Sequence, residues 1–149
     1  MILWQISRHP ELDGAGGLRA SARWHTRGRP IVYCAPNPAG ALLEVLVYAE
    51  VDIEDLPVGF RYLEIEAPGT LGVEDVDASA LTRSWRTDLP STRQAGDRWL
   101  QSGRTALLRV PSTIVPATWN ILINPRHPDS VQVRVVRTHS HGLDPRLLR

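Results

Sequence analysis

Three side chains in this sequence combine charge or a nucleophilic oxygen with a placement that could expose them. The stretch from Arg23 to Glu44 reads RWHTRGRPIVYCAPNPAGALLE, and Arg23 and Trp24 follow a run of small residues. A guanidinium there can sit at a cleft edge with an aromatic beside it, and its planar fork suits bidentate binding of phosphate. Glu44 stands among Ala41, Leu42, Leu43, Val45, Leu46 and Val47. A carboxylate in so apolar a helix either rides a solvent stripe with Gly40 and Tyr48 or points into a pocket. Ser112 follows a strand that ends at Pro111, in RVPSTIVP. It either points into a cleft or holds a turn through local hydrogen bonds, as serine does in turns.

Other groups are weaker signals. Tyr33 lies in an expected strand, on the face opposite Val32. NILINPRH, Asn120 to His127, places two asparagines and a histidine around a strand end, where they could simply satisfy turn backbone. Ser112 and His127 are conceivable as a nucleophile and base, but no G-x-S-x-G elbow surrounds the serine. The five histidines show no i,i+4 pair of the zincin kind, and Cys34 is the one cysteine, so no metal site is expected.

The elements that must position these groups are short, because 12 prolines and 11 glycines punctuate the chain. Ile2 to Ser7, Pro30 to Ala35, Phe60 to Glu66, Thr105 to Val110, Asn120 to Asn124 and Val131 to Val136 read as strands. Glu11 to Ala22 reads as a loop, and Thr138 to Arg149 as a polar tail packed on the body. Asn37-Pro38 is a helix start, with Asn as cap and Pro in the first turn, and the helix runs through Tyr48. Ser91 and Gln94 form a capping-box pattern opening a second helix to about Ser102, closed by Gly103. Strands dominate and the helices do not alternate with them, which predicts an α+β fold with a mixed or antiparallel split sheet. Without repeats or low-complexity linkers, residues 1–149 read as one domain.

Composition removes several classes. The 149 residues are 42% hydrophobic and 22% charged, with mean hydropathy −0.19, an ordinary globular balance. All 17 basic residues are arginine, so Schiff-base and P-loop chemistry, which need lysine, are excluded. The net charge of +1 gives no reason to expect direct nucleic-acid binding. No apolar run approaches the roughly 20 residues of a membrane helix. The first ten residues lack a signal-peptide pattern, so a cytoplasmic protein is expected.

Taken in order, the motifs resemble the RES-domain family, toxin components of RES–Xre toxin–antitoxin systems. That family takes its name from an arginine, a glutamate and a serine, which here are Arg23 in ARWHTRGRPIVYCA, Glu44 in AGALLEVLVY and Ser112 in RVPSTIVP. The Y-x-A strand is Tyr33 to Ala35, A-x-x-E is Ala41 to Glu44, and G-D-x-W is Gly96 to Trp99. V-P-S is Val110 to Ser112, and N-x-x-x-N-P is Asn120 to Pro125. The likeness runs from about Trp4 to Asp144. Two positions depart from it: Ala22 where glycine is usual and His25 where asparagine is usual.

The resemblance implies a fold like that of ADP-ribosyltransferases and an enzyme that consumes NAD+, splitting the nicotinamide–ribose bond with water, phosphate or a protein as acceptor. NAD+ would be a spent substrate, with no cofactor. Arg23, Glu44 and Ser112 would be the catalytic set, and Arg23, Tyr33, Ser112 and Asn124 would bind NAD+. The implied partner is a helix-turn-helix antitoxin of the Xre type, and a homodimer or larger toxin–antitoxin assembly is allowed. Two other classes stand beside this reading. One is an inactive RES-fold binding module acting through its antitoxin; the other is a serine hydrolase using Ser112.

Overall fold

The computed structural model describes residues 1–48 and 59–148, without the side chains of Tyr48 and Leu148. Its strands are β1 (Ile2–Ser7), β2 (Val32–Cys34), β3 (Arg61–Glu66), β4 (Val73–Asp75), β5 (Leu107–Pro111), β6 (Trp119–Ile123) and β7 (Arg134–Ser140). Its α-helices are α1 (Ala15–Arg19), α2 (Pro38–Tyr48) and α3 (Leu89–Ser102). The strands form two sheets, ordered β1-β3-β7 and β2-β6-β5-β4. All pairs are antiparallel except β4 with β5. The expected α+β architecture is present, and its split has a definite position. Trp4 and Ala35 exchange two backbone hydrogen bonds of 2.8 Å in an isolated bridge that ties β1 to the end of β2. Beyond the bridge the two strands part.

Period-two alternation explains the two cores. On β5 and β6, Leu107, Ile121 and Ile123 join Leu3, Leu63, Ile65 and Cys34 in a cluster between the sheets. The alternate residues Leu108, Val110 and Leu122 turn the other way, onto Trp24 and Trp99. The sheet β2-β6-β5-β4 is therefore buried on both faces, which is why its central strands read as near-continuous apolar runs.

Several boundaries differ from the sequence expectation for local reasons. The loop expected at residues 11–22 contains α1, because Gly17 lets the chain close against Arg29: a Cβ there would strike the Arg29 carbonyl oxygen. Helix α3 starts before Ser91. Asp88 is its cap, accepting the Ser91 N–H at 3.1 Å, and Pro90 sets the first turn. Pro111 belongs to β5, since the β4 ladder ends at Arg109 and leaves a neighbour on one side only. The strand expected at 131–136 begins at Arg134, after a 3₁₀ turn over Pro128–Gln132, and continues to Ser140 through what reads as tail. His127 Nδ1 accepts the Asp129 N–H at 3.1 Å and so diverts that segment into the turn.

Candidate active site

Where β1 and β2 part, a cavity of about 230 Å³ opens, walled by β1, β2, α2 and β6. Its lining is mostly apolar, with Gln5, Tyr33, Glu44 and Asn120 as the polar members. Helix α2 brings Glu44 there. Asn37 Oδ1 accepts the Gly40 N–H at 2.7 Å, so the helix begins three residues after β2 and lies against β1. The spacing i, i+3, i+4 then turns Ala41, Glu44 and Val45 together into the cavity. The solvent-stripe alternative does not hold for this face, since Gly40 packs over Ala35 and Asn37. The Tyr48 side chain lies outside the described residues.

Glu44 Oε1 accepts a hydrogen bond from Asn120 Nδ2 at 2.8 Å. Burial raises the Glu44 carboxyl above its ordinary range, while the Asn120 bond and the nearby Arg23 charge pull it back. The result is a desolvated carboxylate with one amide donor and a cation nearby. Such a group is poised to stabilise positive charge on a bound molecule.

Arg23 is set by α3. Thr92 Oγ1 donates to the Arg23 carbonyl at 2.6 Å, and Arg93 Nε donates to the Ala22 carbonyl at 2.8 Å. Gly96 allows this approach, for a Cβ there would collide with the Trp24 carbonyl oxygen. Asp97 accepts the Thr26 N–H at 2.9 Å and its hydroxyl at 2.6 Å, and pairs with Arg29 at 3.3 Å. Trp99 then fills the core beneath. The G-D-x-W motif is thus a clamp on the 22–29 loop. The guanidinium of Arg23 donates from Nη1 to the Arg86 carbonyl at 2.9 Å, leaving other N–H groups for a ligand.

Tyr33 lines the cavity, and its hydroxyl is held from behind. The Trp24 N–H donates to Tyr33 Oη at 3.1 Å, and Nδ1 of His25 lies 2.7 Å from the same oxygen. His25, only 2% exposed, also has Nε2 at 2.9 Å from the Ala20 carbonyl. Burial holds its pKa below the ordinary histidine range. The two departures from the family pattern therefore have places: Ala22 lines the cavity and His25 stands behind its wall.

Tyr33 and Glu44 both line the cavity; Arg23, Ser112 and Asn124 do not, although the charge of Arg23 is near enough to act on Glu44. Ser112, 6% exposed, caps the turn after β5, its Oγ accepting the Ile114 and Val115 N–H groups at 3.1 and 3.2 Å. Both bonds are those of a turn serine, and its O–H is what remains to offer a ligand. Ser112 lies at the Asn120 end of the sheet, since Val110 pairs with Asn120. His127 follows the other end of β6 and is bonded to Asp129, so the conceivable serine–histidine pair is not assembled. Asn124, 3% exposed, accepts the Arg126 N–H at 3.1 Å in the turn after β6.

Asn120, rather than Asn124, is the asparagine of that motif that reaches the cavity. The first position of N-x-x-x-N-P was its only sequence signal. Gln5 was also missed; it follows buried Leu3 on the same face of β1. Cys34 lines the cavity too, but burial pushes its thiol up to about 12, which leaves it protonated and unreactive.

The RES domain family profile matches residues 2–144. The chain belongs to the RES-domain family. This RES domain is 48% identical over 135 residues to "Toxin Res" of Pseudomonas putida, covering 91% of this chain and 92% of that protein. It is 38% identical over 144 residues to "Prs ADP-ribosylating toxin" of a Sphingobium species, covering 93% of this chain and 88% of that one. Its fold is shared with the crystal structure of the Mycobacterium tuberculosis MbcT–MbcA toxin–antitoxin complex. The TM-score is 0.72 at 16% identity, over 99% of this RES domain and 86% of that chain. No helix among its described residues is long and apolar enough to cross a membrane.

Proposed function

We propose that this RES domain is the toxin of a toxin–antitoxin pair and that it consumes NAD+ by breaking the nicotinamide–ribose bond. The observation that carries the reading is the Glu44 carboxylate, half-buried and held by Asn120 at 2.8 Å on the wall of a mostly apolar cavity, within range of the Arg23 charge. Loss of nicotinamide leaves an oxocarbenium-like ribose, as in glycoside hydrolysis generally. Glu44 stabilises that charge and hydrogen-bonds the ribose, and Asn120 keeps the carboxylate in place. Arg23 clamps the pyrophosphate through its free N–H groups. At about 230 Å³ the cavity is smaller than the ~300–1,000 Å³ of sites for drug-sized ligands. It suits the nicotinamide ring and adjoining ribose, with the remainder of NAD+ running out past Arg23. Tyr33 stacks against the ring, and Ser112 offers its O–H.

NAD+ is then a substrate, with water, phosphate or a protein side chain as acceptor. The name of the Sphingobium relative favours ADP-ribosyl transfer among these. The toxin–antitoxin relatives favour a cognate antitoxin, of the helix-turn-helix Xre type, and a cytoplasmic setting. The test is incubation of the purified protein with NAD+, with and without phosphate, and products read by mass. Nicotinamide together with ADP-ribose, or its phosphate ester, is expected. NAD+ left intact by folded protein, with normal growth of cells expressing it alone, would overturn the reading.

A further inference from the structure

We propose that His25 is a positioning residue that accepts the hydrogen bond of the Tyr33 hydroxyl and thereby sets Tyr33 to meet a ligand with its ring, not as a hydrogen-bond donor. This deepens the NAD+ reading of the cavity and rests on it.

The argument is an accounting of protons. Nε2 of His25 lies 2.9 Å from the Ala20 carbonyl, and a carbonyl oxygen can only accept. Nε2 therefore carries the hydrogen. In the neutral ring Nδ1 is then a bare lone pair, and at 2.7 Å from Tyr33 Oη the tyrosine must be the donor. The Trp24 N–H donates to the same oxygen at 3.1 Å, which fixes the phenol from a second direction. Neutral imidazole is the form this place favours, since His25 is 2% exposed and burial disfavours its charged form. The imidazole is itself closely packed: the position of a Cβ on Gly17 lies 3.2 Å from Nε2. The two rings meet at 52° with centroids 5.7 Å apart.

The consequence reaches the cavity. Tyr33 is one of its walls, yet its only O–H hydrogen points away from it. A flat ring entering the cavity meets the phenol face, at a fixed tilt. Such a contact is made in ground state and transition state alike, so its loss appears in KM.

Two measurements test this. In the free protein, ¹⁵N NMR of His25 should show Nε2 protonated and Nδ1 unprotonated at neutral pH; a protonated Nδ1 overturns the proposal whether or not NAD+ is the substrate. In turnover, His25→Ala should raise KM for NAD+ about tenfold, the scale of one lost hydrogen bond, with kcat within about twofold. His25→Asn, whose amide can accept from Tyr33, should restore most of the KM. Tyr33→Phe should raise KM by a similar factor, and His25→Ala should add nothing to it in the double variant. A multiplicative double variant, or a wild-type KM in folded His25→Ala, overturns the proposal. Absence of NAD+ turnover in the wild type would defeat the reaction reading instead, while the tautomer still decides the hydrogen bond.

Discussion

Helix α2 walls the candidate site and α3 holds the 22–29 loop next to it, and the two are built on opposite plans. α3 follows the ordinary rules: Asp88 caps it, Gly103 closes it in the left-handed region, and Thr92, Gly96 and Trp99 face inward at helical spacing. Thr92, Arg93 and Asp97 make structural bonds to the 22–29 loop. α2 inverts the pattern. Leu43 and Val47 are 40% and 56% exposed, while the charge of Glu44 turns into the cavity. Burying a carboxylate costs free energy, as the raised pKa of Glu44 records. The helix that obeys amphipathic rules is the scaffold here, and the helix that breaks them carries the carboxylate on the cavity wall.

The largest expected effect sharpens that contrast. Glu44→Gln should lower kcat by about 10²–10³, the usual loss for one preorganised electrostatic group. Stability should be unchanged or raised, because the amide removes a desolvated charge and its oxygen can still accept from Asn120. A folded variant consuming NAD+ at the wild-type rate would remove Glu44 from the site.

Gly96→Ala attacks the other helix and should do the reverse, unfolding first. The new methyl meets the Trp24 backbone, which cannot swing aside. A loss of about 3 kcal/mol, at the upper end for overpacking, is expected in chemical denaturation. An unchanged denaturation midpoint would mean that α3 does not grip the loop as closely as described.

Acid separates the two regions further. The Glu44 pKa lies above 4.5 in the folded state, so Glu44 stabilises the fold below that pH and the gain fades as pH rises through the folded value. If Glu44 stabilises positive charge as proposed, its ionised form is the active one, and turnover should show an acid limb above the ordinary carboxylate range. His25 acts oppositely on stability. Its folded pKa lies below 6.5, so the unfolded chain takes up a proton first and stability falls as pH drops below that value. His25→Asn should flatten this decline between the unfolded pKa and the lower folded one, and a decline equally steep in the variant would assign it to other groups.

The smallest effect lies near Ser112. Ala117 has φ 56° in the β5–β6 turn, which glycine tolerates more easily. Ala117→Gly should stabilise by about 0.5–1 kcal/mol in thermal unfolding. A destabilised variant would mean that the alanine methyl contributes packing that offsets the strain.

Much of this was legible in the chain. The cap at Asn37, the closing Gly103 and the alternation of β3 are local signals, and each element formed where they lie. Legibility failed for two reasons: α1 depends on a tertiary contact, Gly17 meeting Arg29, and the start of α3 on one local cap, Asp88, outranking another, Ser91. Within the site, Tyr33 and Glu44 were named from sequence and share the cavity wall, while Arg23 lies outside its lining. Asn120 was passed over for Asn124, its neighbour in the same motif.

The sequence by itself determined most of the longer elements, the two-faced apolar strands and the family, since helical and strand periods are written within a few residues of each other. Only the tertiary structure decided which polar groups meet. Glu44 and Asn120 stand 76 residues apart and are joined through the order and register of β2, β6 and β5. A slip of one residue in β6 would turn Asn120 to the opposite face and leave Glu44 without its donor. Local periodicity does not determine that register. It is set by the packing of both faces of the sheet at once.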